Sequence, residues 1–303
     1  LIAFQIDECG HEICTTCARR WFFQQTNNSC PLCRGKVDVS VVNKQIVLPE
    51  VFEAIRKNNL DKIKTYVEQG GDVNAKDEDG NTLLHSSFIS FKILWFILVT
   101  SLTADDADVN SKNNNGETPL HSACSYDTIS YDDESLEIVK CLVNNGADIN
   151  AKDKSGSTPL HKLCNTMRYP GKLTSILILK YLVVNYGADV NAKDETGSTP
   201  LLEISKQEIL NCSEILKILI EKGAADVNAK NNNGETPLHN ACAWSSLKVV
   251  KCLVEKGADV NSKNNENHTP LDIAGKRNDI IEKDGIIQFL SHIKRGGGKF
   301  SKK

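Results

Sequence analysis

The sequence lacks an apolar run long enough to cross a membrane. Its most apolar stretch, Phe88 to Leu102, holds 15 residues with Lys92 among them, against the roughly 20 that a spanning helix needs, so it reads as buried core. The chain also lacks charge of one sign. Its 36 basic and 39 acidic side chains leave a net charge of −3, which gives no general electrostatic reason to bind nucleic acid or anionic lipid. A protein is the better partner class. No glycine-rich phosphate loop, HExxH pair or Ser-His-Asp set is present, which removes the common nucleotide-hydrolysing, metalloprotease and serine-hydrolase chemistries.

The eleven cysteines fall into two groups. Cys9, Cys14, Cys17, Cys30 and Cys33 crowd the N-terminus with His11 among them, whereas Cys124, Cys141, Cys164, Cys212, Cys242 and Cys252 are scattered. Scattered thiols do not suit a secreted disulfide scaffold, so the crowded group reads as a metal site in a reducing, cytoplasmic compartment.

After about Leu48 the sequence repeats. The phrase DGNTLLH at Asp79–His85 returns as NGETPLH at Asn115–His121, SGSTPLH at Ser155–His161, TGSTPLL at Thr196–Leu202, NGETPLH at Asn233–His239 and ENHTPLD at Glu266–Asp272. A second phrase of the type GADVNAKD alternates with it, from Gly70, Ala107, Gly146, Gly187, Ala225 and Gly257. Thr before Pro is a helix start, because the hydroxyl caps a free N–H and Pro at the first helical position loses no hydrogen bond. A second helix follows, as in Leu136–Val143 and Leu247–Val254, and Gly146, Gly187 and Gly257 stop it in the left-handed conformation. Two short helices cannot bury an apolar face alone, so such units must stack.

These phrases closely resemble the ankyrin repeat, from about Leu48 to Lys294. The resemblance implies a mainly α fold, an ankyrin-repeat solenoid of about seven helix-turn-helix repeats with hairpin loops, the first (Leu48–Gly71) lacking TPLH and the last (Thr269–Lys294) a cap with Lys276-Arg277-Asn278-Asp279 as polar outer surface. Successive threonines from Thr82 to Thr269 stand 36, 40, 41, 37 and 33 residues apart, against a repeat period of about 33. The excess is expected between the two helices, at Ser125–Ser135 and Thr166–Ser175, with one more residue in the doubled Ala224-Ala225. The family implies that His85, His121, His161 and His239 tie neighbouring repeats together, and Cys124, Cys164, Cys242, Cys141 and Cys252 read as small core residues. Family practice places partner binding on the hairpin tips and inner helices, making Lys152, Lys193 and Lys230 candidates for substrate contact; an ordinary solvated consensus is the competing reading.

The N-terminal order Cys-x-His-x-x-Cys-x-x-Cys, then Cys30-Pro31-Leu32-Cys33-Arg34, is similar to the second half of a RING finger. Paired Cys-x-x-Cys spacing suits tetrahedral zinc, and Cys9, His11, Cys14, Cys17, Cys30 and Cys33 are the candidate ligands. In the family two sites interleave, which implies Cys9, His11, Cys30 and Cys33 on one Zn(2+) and leaves Cys14 and Cys17 expecting a further pair upstream of Leu1; single-zinc binding by four of the six, or a chance cluster, are the alternatives. By the same resemblance Trp21 and Pro31 form an apolar shelf for a ubiquitin-conjugating enzyme, and Arg34 bridges that enzyme and ubiquitin. Trp21 with Phe22 and Phe23 could equally cover the zinc core.

The resulting partition is a partial RING-type module at 1–39, a linker at 40–47, repeats at 48–294 and a basic tail at 295–303. The function implied is a RING-type ubiquitin ligase, weak as this fragment, recruiting an unknown protein substrate through its repeats. The alternative is a non-enzymatic ankyrin adaptor with a degenerate zinc module. The expected location is cytoplasmic, and a nuclear one is the alternative that the basic tail suggests.

Overall fold

The structure, a computed structural model, describes residues 3–6, 11–14, 48–57, 59–68, 71–86, 107–125, 134–167, 173–208 and 211–296. The chain divides into two compact units, Leu1–Ala107 and Asp108–Lys303.

In the first unit, strands β1 (Ala3–Ile6) and β2 (His11–Cys14) pair antiparallel, with Ala3 opposite Cys14 and Ile6 opposite His11. Helices α1 (Leu48–Arg56) and α2 (Leu60–Glu68) form the predicted first helix pair, burying Val51, Phe52, Ile55, Ile63 and Tyr66. The next TPLH-like phrase starts the short α3 (Leu83–Ser86). The apolar stretch Phe88 to Leu102 lies outside the described residues, as does Asp106, which stands where the other repeats place a capping Gly.

In the second unit, inner helices α4 (Pro119–Ser125), α6 (Pro159–Thr166), α8 (Pro200–Ser205), α10 (Pro237–Trp244) and α12 (Pro270–Gly275) begin at the Thr-Pro phrases. Outer helices α5 (Glu134–Asn144), α7 (Leu173–Lys180), α9 (Cys212–Leu216), α11 (Leu247–Glu255) and α13 (Ile280–Gly296) alternate with them. One leucine of each of the first four inner phrases, Leu120, Leu160, Leu201 and Leu238, is fully buried, as are Leu142 and Leu253 of the outer helices and Leu182 and Leu219 in the turns that continue them. Each such burial contributes about 1.5–3 kcal/mol, and a stack shares that core between neighbours.

The excess residues are only partly where the spacing places them. The two long inter-helix insertions lie mostly outside the described residues, but two single-residue insertions sit inside outer helices. In the regular repeats the Ala147 N–H donates to Leu142 O and the Ala258 N–H to Leu253 O, five residues back. Ala188 instead reaches Leu182 O and Ala225 reaches Leu219 O, six residues back. The added residue widens the helix into π turns at Tyr181–Asn185 and Lys217–Lys222, the usual way a helix absorbs one extra residue without losing its ladder. The sequence pointed to the doubled alanine but not to the equivalent extra residue near Tyr186.

The doubled alanine carries a cost. Gly146, Gly187 and Gly257 close their helices with φ of 87°, 65° and 92°, and Ala224 takes the same place at φ 58°. A left-handed alanine costs roughly 1–2 kcal/mol, partly offset by the freedom glycine loses on folding. Ala224→Gly is expected to stabilise the array by about 0.5–1 kcal/mol, seen as a rise of about 2 °C in a thermal melt. Gly223→Ala should lower the melt, because a Cβ there would stand 2.7 Å from Val190 Cγ1 and 2.8 Å from Val183 Cγ1.

The last repeat corrects one expectation. Arg277 is not part of a polar outer surface: its side chain is largely buried and its guanidinium donates to Ser245 O at 2.5 Å and Cys242 O at 3.3 Å. It therefore anchors the cap to α10. The helix of the cap runs to Gly296, two residues beyond the expected repeat boundary.

Candidate functional site

The hairpin tips between helix pairs are built from one reused turn. In each, an Asp or Asn oxygen accepts backbone N–H groups two and four residues on. Asp153 Oδ1 takes Ser155 N at 2.8 Å and Ser157 N at 2.9 Å, and Asn231 Oδ1 takes Asn233 N at 3.0 Å and Glu235 N at 2.9 Å. The side chain replaces donors that a turn would otherwise leave to water.

Neighbouring tips are joined by side chains that the repeat phrase supplies at every pass. Lys112 Nζ donates to Lys152 O (2.9 Å), Lys152 to Lys193 O (3.0 Å), Lys193 to Lys230 O (2.9 Å) and Lys230 to Lys263 O (2.8 Å). Asn110, Asn191 and Asn228 run a second ladder, each side chain bridging a carbonyl and an N–H of the next repeat, as in Asn191 Nδ2 to Ala224 O and Asp226 N to Asn191 Oδ1. The candidate substrate lysines Lys152, Lys193 and Lys230 are thus exposed but already engaged in holding one repeat to the next. A charge reversal there would disturb the stack as well as any partner contact.

Three of the four repeat histidines, His121, His161 and His239, tie neighbouring repeats as the resemblance implied, and His85 accepts the local Thr82 N–H at Nδ1 at 3.1 Å. Thr158 N–H donates to His161 Nδ1 at 3.1 Å, so Nδ1 must accept, and Nε2 carries the proton it gives to Ser198 O at 3.0 Å. His121 and His239 repeat this with Ser157 O and His268 O. Burial holds all three imidazoles below their usual range, which keeps them in the neutral form these bonds require. Where the phrase reads TPLL, Leu202 cannot make the tie, and its N–H is instead capped by Thr199 Oγ1. Among the described residues no group of three His, Cys, Asp or Glu side chains is placed to hold a metal.

One charged cluster was not legible in the sequence. Lys162, on the inner helix α6, pairs with Glu117 Oε1 at 2.7 Å and Asp153 Oδ2 at 2.8 Å. It links residues 36 and 45 positions apart along the chain around one ammonium (Glu117 to Asp153, Glu117 to Lys162), and the Asp153 side chain is only 3% exposed. Burial pushes both carboxyls up, but hydrogen bonds from Lys162, with those of Ser155 to Asp153 and Asn113 to Glu117, outweigh it and hold both below their usual range; the two partners in turn raise Lys162.

Models of the ankyrin repeat match overlapping windows from residue 51 to residue 290, as triple-repeat blocks at 51–153, 96–194, 127–231, 172–264 and 211–290. The chain belongs to the ankyrin-repeat family. Its fold is the mainly helical ankyrin solenoid, and repeats of this family mediate protein–protein contacts. A C3HC4-type zinc finger, the RING finger, matches residues 2–33. No curated protein matches the chain significantly.

RING fingers of this type bind zinc, and the donor set present suits it, with five thiols and one imidazole at paired spacing. Of the six candidate ligands, the structure describes the backbone of His11 and Cys14 alone; Cys9, Cys17, Cys30 and Cys33 lie outside the described residues, as do Trp21, Pro31 and Arg34. His11 and Cys14 are the two ends of strand β2, three steps and so about 10 Å apart along the strand.

Proposed function

We propose that this chain is a RING-type ubiquitin ligase of the cytoplasm whose ankyrin array selects a protein substrate. The observation that carries the reading is the conjunction of a RING finger match over residues 2–33 with an ankyrin array over residues 51–290 in one chain. Zinc, held by Cys9, His11, Cys30 and Cys33 at one site and by Cys14 and Cys17 at the other, supplies a rigid scaffold and no bond-making step. Trp21 and Pro31 offer the apolar anchor for a ubiquitin-conjugating enzyme. Arg34, with its fork of donors, bridges enzyme and ubiquitin so that the thioester is held ready for attack by a substrate lysine. Catalysis is then positioning: an attack between separate molecules becomes one within an assembly.

Arg34→Ala is expected to slow ubiquitin discharge from the charged conjugating enzyme by about tenfold, the worth of roughly one charge-assisted hydrogen bond, while zinc content stays at its wild-type level. Discharge kinetics beside metal analysis read both. Loss of zinc on that substitution would make Arg34 structural instead. The adaptor reading draws on the six ligands, two short of two full zinc sites; it expects no discharge with any conjugating enzyme and unaltered partner capture by the array.

A further inference from the structure

Two of the scattered cysteines are brought into direct contact by the stack. Cys212 opens α9 and Cys252 lies within α11, outer helices of adjacent repeats, and their sulfurs stand 2.7 Å apart across 40 residues of sequence. Both residues are buried, Cys212 fully and Cys252 to 9% exposure. A disulfide needs about 2.05 Å between sulfurs, so an approach of about 0.7 Å, within the reach of side-chain rotation, brings them to bonding distance. The other described cysteines of the inner helices, Cys124, Cys164 and Cys242, sit in a different register.

We propose that Cys212 and Cys252 form a dithiol modification site, at which a peroxide-class oxidant makes a disulfide that staples two neighbouring repeats. The chemistry balances with hydrogen peroxide as the oxidant. Cys252, the less buried of the two, loses its proton and attacks a peroxide oxygen; the O–O bond breaks and the departing hydroxide takes up that proton as water, leaving a sulfenic acid. Cys212 then attacks the Cys252 sulfur, the S–O bond breaks, and the second hydroxide leaves as water with the Cys212 proton. Two sulfurs lose one electron each and the peroxide gains two. Burial pushes the Cys212 thiol up to about 12, which makes it the poorer first nucleophile, and its contact with the Cys252 sulfur at 2.7 Å places it for the resolving attack.

The consequence lies in the array's mechanics. In a linear stack each repeat is stabilised only by its neighbours, so its end frays by local opening. A covalent bond between α9 and α11 ties the C-terminal pairs to the body of the array and holds their surface in one arrangement. This does not depend on the ligase reading.

The test uses the full chain under native conditions with a few equivalents of hydrogen peroxide, followed by non-reducing tryptic mapping. The expected product joins peptides 207–217 and 252–256 with the loss of two hydrogens, and amide exchange in α11 slows by about tenfold, reversibly on adding a thiol reductant. Cys212→Ser and Cys252→Ala should each remove both effects; the second, at the less buried position, serves if the first does not fold by circular dichroism. Peptides that remain separate while Cys124 or Cys141 is oxidised would overturn the proposal, and a linked chain with unchanged exchange would overturn the staple.

Discussion

Replacing Cys30 with Ser is expected to lower bound zinc by one ion per chain and to end conjugating-enzyme-dependent ubiquitin transfer, with the helical array still melting as in the wild type. Serine offers no thiolate, and a tetrahedral site that loses one of four ligands loses most of its affinity, since metal binding and folding of such a module are one equilibrium. The helix pairs of residues 108–296 are held by their own leucines and inter-repeat ladders, so their thermal transition should not follow the metal. Cys14→Ser is the companion. If the sites interleave, with Cys30 on one and Cys14 on the other, the two substitutions remove different ions and the double variant loses both. Metal analysis of the three variants beside discharge kinetics decides it, and stoichiometric zinc unaffected by Cys30→Ser would sink the assignment of Cys30 to a site.

How much of this was legible in the sequence depends on how local each feature's cause is. Helix starts at Thr118, Thr158, Thr199, Thr236 and Thr269, and the stops at Gly146, Gly187 and Gly257, follow from chemistry within four or five residues, and they fall where the sequence puts them. The π turns do not announce themselves, because the inserted residue near Tyr186 is neither Gly nor Pro and shows only when Ala188 closes on Leu182 instead of five residues back. The lysine ladder is another kind of blind spot. Lys152 reads as solvated consensus because its partner, Lys193 O, lies 41 residues away, and only the stack makes them neighbours. Arg277 misled for the same reason: a basic residue in a polar run reads as surface until the carbonyls of Cys242 and Ser245 are found beneath it. In the candidate zinc module the ligand types and spacing were fully legible, and the structure adds the strand β2 that His11 and Cys14 begin and end.

Lys162→Met is expected to destabilise the array by about 2–3 kcal/mol, less than a fully buried ion pair loses on removal of one partner because Lys162 and Glu117 retain some solvent. The variant leaves the Asp153 side chain, 3% exposed, as a carboxylate without its counter-ion and facing Glu117. The chain supplies its own remedy. At the equivalent tip position three repeats carry asparagine, and the amides of Asn113 and Asn231 donate to Glu117 Oε2 at 3.2 Å and Glu235 Oε2 at 3.0 Å; in the Asn231 repeat the Lys162 position of the inner helix is Asn240. An asparagine in place of Asp153 would keep the oxygen that caps Ser155 and Ser157, so adding Asp153→Asn to Lys162→Met should recover more than half of the loss. The pH dependence has a definite sign. Both carboxyls are lowered in the folded chain from ordinary values of 3.8 and 4.5, so their contribution is present above those values and is lost as pH falls through the lowered ones; Lys162 is raised from 10.5, so its share is present below 10.5 and is lost at higher pH. The wild-type advantage over Lys162→Met should therefore be flat from about pH 5.5 to 9.5 and shrink on either side. Denaturant melts of the three proteins across that range measure it, and a difference that grows on acidification would show that the cluster does not act as an ion pair.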